Sequence, residues 1–315
     1  MINPAGIVVF SLSGFNATVN YRATLFSLTL LSYCAILLVN VSLVVIIALD
    51  RTLHEPMYIC LCSLCINAIY GTTGFYPKFA FDLLSDIKVI SYAGCLLQIF
   101  VLYSSAKIDF SILALMAYDR YVAICLPLKY HSHMSVRRTA LLVCLSWLVP
   151  LSNDIVIVVL ASNLRLCGSQ IQKLYCENWA IVKLACGATT VNDIVGLIVI
   201  SVYIGHVLFI LNSYVQVVRS ALKSKDSVRK FTQTCVPHLL CLLNVTAALL
   251  FDVMYSRYGS SSVPQSLKNF MAIQFLLIPP LINPIIYGLI LTKVRKRIIS
   301  LCVTAGQRFK LRLKV

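Results

Sequence analysis

Charge is what this chain is short of. Asp, Glu, Lys and Arg make up only 12% of its 315 residues, about half the share of a soluble domain. The acids are scarcest, 11 against 27 Lys and Arg. So few charges cannot clothe a soluble globule of this length, which excludes a soluble enzyme. Disorder is excluded as well, because a disordered chain needs low hydrophobicity. This one is 59% apolar, with a mean hydropathy of +0.87. No ten-residue alternation marks a β-barrel. No Ser-His-Asp or metal-ligating constellation lies outside the apolar stretches, so neither an enzyme nor a cofactor is expected. The first 14 residues lack a basic n-region, so the first apolar span is expected to serve as the insertion signal.

What the chain does have is long apolar runs. Ala23–Leu49, Ile194–Val218, Phe231–Phe251 and Asn269–Thr292 contain no Asp, Glu, Lys or Arg. Each is long enough to cross a hydrocarbon core of about 30 Å. Three further stretches carry one or a few charges: Pro56–Leu83, Ala93–Leu126 and Thr139–Leu160. Seven spans result, and in lipid they must be helices, because each has to satisfy its own backbone hydrogen bonds.

The basic residues give the orientation. Segments 50–55, 119–138, 219–230 and 293–315 hold 18 Lys and Arg and four acids, a net +14, and the rest of the chain nets +2. Positive charge stays inside, so the N-terminus is expected outside and the C-terminus inside. This placement, against an anionic inner leaflet, explains a pI near 9.4 without nucleic acid as a partner. Asn16-Ala17-Thr18 is a glycosylation sequon in the outer segment. The sequons at Asn40 and Asn244 fall inside spans.

Most of the 13 cysteines lie within spans and read as small buried hydrophobes. Four differ. Cys95 sits at the outer end of the third span, and Cys167, Cys176 and Cys186 lie in the loop 161–191. Outside the cell these are expected to be oxidised. Four cysteines allow three pairings, and zinc is a weaker alternative because no nearby His completes a ligand set. A loop this long is functional or disordered, and its cysteines argue for a stapled lid.

At the inner end of the third span the chain reads Met116-Ala117-Tyr118-Asp119-Arg120-Tyr121-Val122-Ala123-Ile124-Cys125. This stretch resembles the corresponding motif of vertebrate odorant receptors, within the rhodopsin-like G-protein-coupled receptors. Leu53-His54-Glu55-Pro56-Met57-Tyr58 resembles the start of their second helix, and Ser213-Tyr214 the pair late in their fifth. Lys230 to Leu239 resembles their sixth-helix motif, with Pro237 where Ser is usual. Pro280-Leu281-Ile282-Asn283-Pro284-Ile285-Ile286-Tyr287 resembles their seventh. The resemblance spans about residues 20–303. Ile66-Asn67 and Gly74-Phe75-Tyr76-Pro77-Lys78 are similar to fish-type members.

The resemblance implies an all-α membrane protein, a seven-transmembrane helix bundle with a short amphipathic eighth helix. Its parts are an outer N-terminus at 1–22, a transmembrane domain at 23–291, and the eighth helix and tail at 292–315. The basic run at Thr292–Ile299 suits a helix lying on the inner membrane face, and Cys302 beyond it is a candidate for palmitoylation. The resemblance implies disulfides Cys95–Cys176 and Cys167–Cys186. It places Asp119, Arg120, Tyr121, Tyr214, His238, Asn283, Pro284 and Tyr287 in activation and G-protein coupling. Arg120 would be held by Asp119 at rest and released toward the G protein. Pro284 would kink the seventh helix, leaving carbonyls for Asn283 to bond.

The family's odorant site lies in the outer half of the bundle, below the loop. Here that region implies Gln98, Leu102, Tyr103, Ala106, Ile198, Val199, Val202, Leu249, Val253, Arg257 and Ile273. Arg257 matches the position where some fish-like receptors grip a ligand carboxylate, which a guanidinium can bind through two parallel hydrogen bonds. The alternative is an Arg snorkelling to the interface.

Two departures matter. Ala68 replaces the Asp that helps bind sodium in many receptors, which argues against a sodium site. Asp109, mid-membrane and costly there, is then expected to be protonated or bonded to Asn40 or Asn283. Val245-Thr246-Ala247 stands in place of an aromatic triplet that works as a switch in many relatives. Lys107 needs a partner that the sequence does not name.

The expected function is an odorant receptor at the plasma membrane, coupled through a heterotrimeric G protein of the olfactory stimulatory type to cAMP. Its partners would be a small odorant, one with a carboxylate on the Arg257 reading, the G protein and membrane lipids. The alternatives are a same-fold receptor for a non-olfactory ligand and a transporter or channel. An amine receptor would want an acid where Leu102 stands, and a transporter would show inverted repeats or interrupted helix pairs; neither is present.

Overall fold

Helices of 27 to 34 residues dominate because the apolar runs give no other way to pair their backbone. The computed structural model describes residues 9–14, 19–222, 236, 239–246, 264–300 and 303. In chain order the elements are β1 (Val9–Leu12), α1 (Val19–Leu49), α2 (Pro56–Thr73), α3 (Tyr76–Leu84), β2 (Val89–Ser91) and α4 (Tyr92–Cys125). After these come α5 (Tyr130–His133), α6 (Val136–Ser162), β3 (Gln170–Ile171), α7 (Asn178–Val182), α8 (Thr190–Ala221) and α10 (Gln265–Ile290). Between α8 and α10 the described residues 239–246 are helical and are called α9, and residues 292–300 form α11. Among the described residues, six helices are long and apolar enough to cross a membrane. The span expected at Phe231–Phe251 lies mostly outside the described residues.

α4 is the hub. It packs against α2, α6 and α8. Its 34 residues reach about 51 Å at 1.5 Å per residue. Leu31, Leu38, Leu148, Val149, Ile155 and Leu208 are exposed on the outer faces of α1, α6 and α8. So much outward apolar surface requires a hydrocarbon solvent.

The second span is bent rather than continuous. Pro77 has no N–H to give Thr73, so α2 ends at Thr73 and α3 begins at Tyr76. Just before the break, α2 and α4 touch so closely that a Cβ on Gly71 would fall 2.1 Å from Ser105 Oγ.

A three-stranded sheet, ordered β2-β1-β3, closes one end. β1 runs antiparallel to β2 and parallel to β3. The N-terminal segment, expected only as an outer tail, is thus part of the lid. Its Phe10 is fully buried in a cluster with Tyr92, Ile171 and Ile181. The pairings Cys95–Cys176 and Cys167–Cys186 are both formed.

At the other end α11 returns to the turn after α1. Lys293 Nζ meets Glu55 at 2.5 Å, and Arg297 Nε meets Asp50 Oδ2 at 3.0 Å. Residues 50–55 and 293–300, parts of segments assigned to one side by charge, therefore share one end of the bundle.

Candidate functional site

Beneath the lid lies a cavity of about 260 Å³. α4 contributes Tyr103, Ala106, Lys107 and Phe110; α8 contributes Val199, Tyr203 and Val207; α9 contributes Thr246. The lid adds Glu177, Asn178 and Trp179, and α6 adds Ile157 and Leu160. An apolar chamber with a few polar groups is what a small-molecule site looks like.

The expected ligand residues divide. Tyr103, Ala106 and Val199 line the chamber. Ile198 and Val202 do not: they lie on the outward face of α8, 57% and 51% exposed. Successive helical residues turn by about 100°, and a helix apolar on every side does not reveal its inner face. Leu102 is buried elsewhere, in a cluster with Phe75, Tyr175 and Leu276, and Ile273 packs against that cluster. Gln98 is a brace for the lid. Its Nε2 donates to Gly74 O and its Oε1 accepts from Cys176 N, both at 2.8 Å. Leu249, Val253, Arg257 and Asn16 lie outside the described residues, as do His238 and Cys302.

Lys107, left without a partner by the sequence, forms a buried ion pair with Asp154 of α6 at 2.5 Å. It also donates to Asn153 Oδ1 at 2.8 Å. Asp154 is the single charge in the stretch Thr139–Leu160, and that lone acid on a second span was the available clue to the partner of Lys107.

Asp109 is bonded neither to Asn40 nor to Asn283. Asn67 Nδ2 donates to its Oδ1 at 2.7 Å, and to Ser105 O at 2.8 Å. Asn40 does what was expected of Asn283: its Nδ2 donates to Pro280 O at 2.8 Å. That carbonyl is the one Pro284, four residues on, cannot reach for want of an N–H. Asn40, Asp109 and Asn283 surround a void of about 10 Å³ with Ala68 on its wall, room for about one water. One carboxylate around so small a space does not make the oxygen shell of about six that hard cations take, so the residues present do not fit a sodium ion. Among the described residues no group of three or more His, Cys, Asp or Glu is placed to hold a metal.

The far end of α4 carries a clasp. Asp119 is fully buried. It accepts from Arg120 Nε at 2.8 Å, and Arg120 Nη2 bonds it as well. Tyr130 donates its hydroxyl to the other Asp119 oxygen at 2.8 Å. Burial first, then the Asp119 charge, raises the Tyr130 phenol above its usual range, so it remains a donor at neutral pH. Tyr121 packs at the edge of the same core. Tyr214 and Tyr287 are buried in one cluster with Cys241 and Val245. α9 thus touches both regions, through Thr246 at the chamber and Cys241 at the tyrosines.

A ligand-sized chamber at one end of α4 and a closed Asp-Arg clasp at the other, joined by membrane-length helices, belong to the G-protein-coupled receptor fold. Residues 28–304 match the family model described as olfactory receptor. The chain is 36% identical over 289 residues to olfactory receptor 2A7 of Mus musculus, covering 90% of this chain and 92% of that one. It is 33% identical over 288 residues to olfactory receptor 1D2 of Pongo pygmaeus, covering 89% and 90%. Against olfactory receptor 52D1 of Homo sapiens it is 34% identical over 284 residues, covering 85% and 87%. The chain belongs to the olfactory receptor family. It is a multi-pass membrane receptor of seven-helix architecture, and not an enzyme.

Proposed function

We propose that the chamber under the lid is the odorant site and that the Asp119 end couples to a stimulatory heterotrimeric G protein, raising cAMP. The lid faces outside the cell, with Asn16 available for glycosylation, and residues 292–315 lie inside, α11 against the anionic leaflet. The observation that carries this reading is the continuity of α9, which meets the chamber at Thr246 and the tyrosine cluster at Cys241. A ligand that fits the chamber better when α9 has moved outward shifts the population toward that state. The Tyr214–Tyr287 region then rearranges, and Arg120 leaves Asp119 for the G protein. His238, which precedes α9 in the sequence, and Pro284 within α10 belong to the same moving part.

For the finer ligand chemistry we read a carboxylate, met by Arg257 at the outer end of the sixth span. A panel of acidic and neutral odorants, tested by cAMP output on native receptor and Arg257→Ala, decides it. Acids are expected to lose about tenfold or more in potency on the variant, with neutral compounds unchanged. Equal potency of acids on both receptors refutes the Arg257 contact.

A further inference from the structure

The chamber contains two charged wall residues among those described, Lys107 and Glu177. Both are already balanced. Lys107 is paired with Asp154 at 2.5 Å, and Glu177 with Lys173 at 2.7 Å. The chamber wall therefore offers no uncompensated charge to an ionic ligand from these groups. It does offer a hydrogen bond. An ammonium has three N–H donors. Among the described residues Lys107 fills two of them, on Asp154 Oδ1 and Asn153 Oδ1. Its side chain is 6% exposed and lines the chamber, so little solvent reaches it. The rest of the wall is mostly apolar, with Ala106, Phe110 and Val199 in it, and carries Tyr103, Asn178, Asn192, Tyr203 and Thr246 as further polar side chains.

We propose that Lys107, held in place by Asp154 and Asn153, is a second polar contact for the ligand, separate from Arg257, and that it takes the oxygen of a neutral acceptor such as a ketone or ester and leaves a carboxylate to Arg257. This inference rests on reading the chamber as the odorant site. The pairing with Asp154 is what makes the contact neutral in kind. A carboxylate brought to Lys107 would have to compete with a carboxylate already there, at low local dielectric, whereas a carbonyl oxygen adds a hydrogen bond and no charge. The pair also fixes geometry. Two of the ammonium's bonds are anchored to α6, so the third has a set direction and little rotamer entropy left to lose.

The test uses three probes of one shape, cyclooctane, cyclooctanone and cyclooctanecarboxylic acid, on purified full-length receptor in lipid nanodiscs. Lys107→Met alone strands the Asp154 charge and is expected to fold poorly. The informative variant is Lys107→Met with Asp154→Leu, which removes both charges together. Native receptor is expected to bind the ketone about tenfold or more tightly than the alkane, and the double variant to bind the two alike. A second measurement needs no variant: the infrared carbonyl stretch of bound cyclooctanone falls below its value in alkane solvent when an N–H donates to it. Equal binding of ketone and alkane by native receptor, or no binding of any probe, overturns the proposal. So does a ketone preference that survives in the double variant, an acid preference that the double variant abolishes, or an unshifted carbonyl stretch. Ketone-selective binding with no cAMP response leaves the Lys107 contact standing and refutes the signalling reading instead.

Discussion

Tyr130→Phe is the sharpest probe of the clasp. The substitution deletes one oxygen and with it a hydrogen bond of 2.8 Å to a fully buried carboxylate. Hydrogen bonds to charged groups contribute about 1.5–3 kcal/mol. The bond from Arg120 to Asp119 remains and Tyr130 is half-buried, so the lower end applies. About 1.5 kcal/mol is roughly tenfold in an equilibrium constant. If the signalling conformation makes up about 1% of the unliganded receptor, the variant should raise it to about 10%. The assay is basal cAMP in cells without odorant, normalised to receptor counted at the surface. Maximal response to a saturating agonist should be unchanged, since the bond belongs to the resting state. A Tyr130→Phe receptor that reaches the surface normally and shows native basal cAMP refutes the clasp as a restraint.

Two other outcomes follow from the ends of the bundle. Phe10→Ala empties a fully buried site in the lid and should cost about 3–5 kcal/mol locally. Amide exchange at residues 89–91 and 170–171 should accelerate, and unaltered protection there would show that β1 does not hold the lid. At the opposite end, hydrogen bonds from the Thr52 side chain and backbone hold the Asp50 carboxyl below its ordinary range. With the folded value below the unfolded one, the Asp50 contribution to docking α11 is complete above the ordinary carboxylate range and is lost as pH falls through the lowered value. Thr52→Val should move that loss to higher pH, read as fluorescence transfer between labels at Leu128 and Ser300. The pair is exposed, so the shift should shrink in salt; an unmoved midpoint refutes the Thr52 contribution.

The spans were readable because apolar length is a one-dimensional property, and both disulfides follow the pairing the family resemblance implied. Facing is not one-dimensional. α8 is apolar on every side, so nothing in its sequence separates Val199, which lines the chamber, from Ile198 and Val202, which face out. The partner of Lys107 is 47 residues away on another helix, beyond any local pattern. Asp109 went to Asn67 rather than Asn40 because Pro284 had left Asn40 a carbonyl to fill. β1 is four residues, too short for alternation to stand out, and its partners β2 and β3 are shorter still.

The parallel pairing of β1 with β3 also imposes a schedule on biosynthesis. Ser11 sits beside Gln170, and at about 5–20 residues per second a ribosome needs roughly 8–30 s to make the stretch between them. About halfway through that interval β2 emerges and can pair with the first strand, but the β3 edge stays unpaired to the end of it. The chamber is therefore roofed only after half the receptor has been synthesised, and the cluster around Phe10 is completed by Ile171 and Ile181 only then.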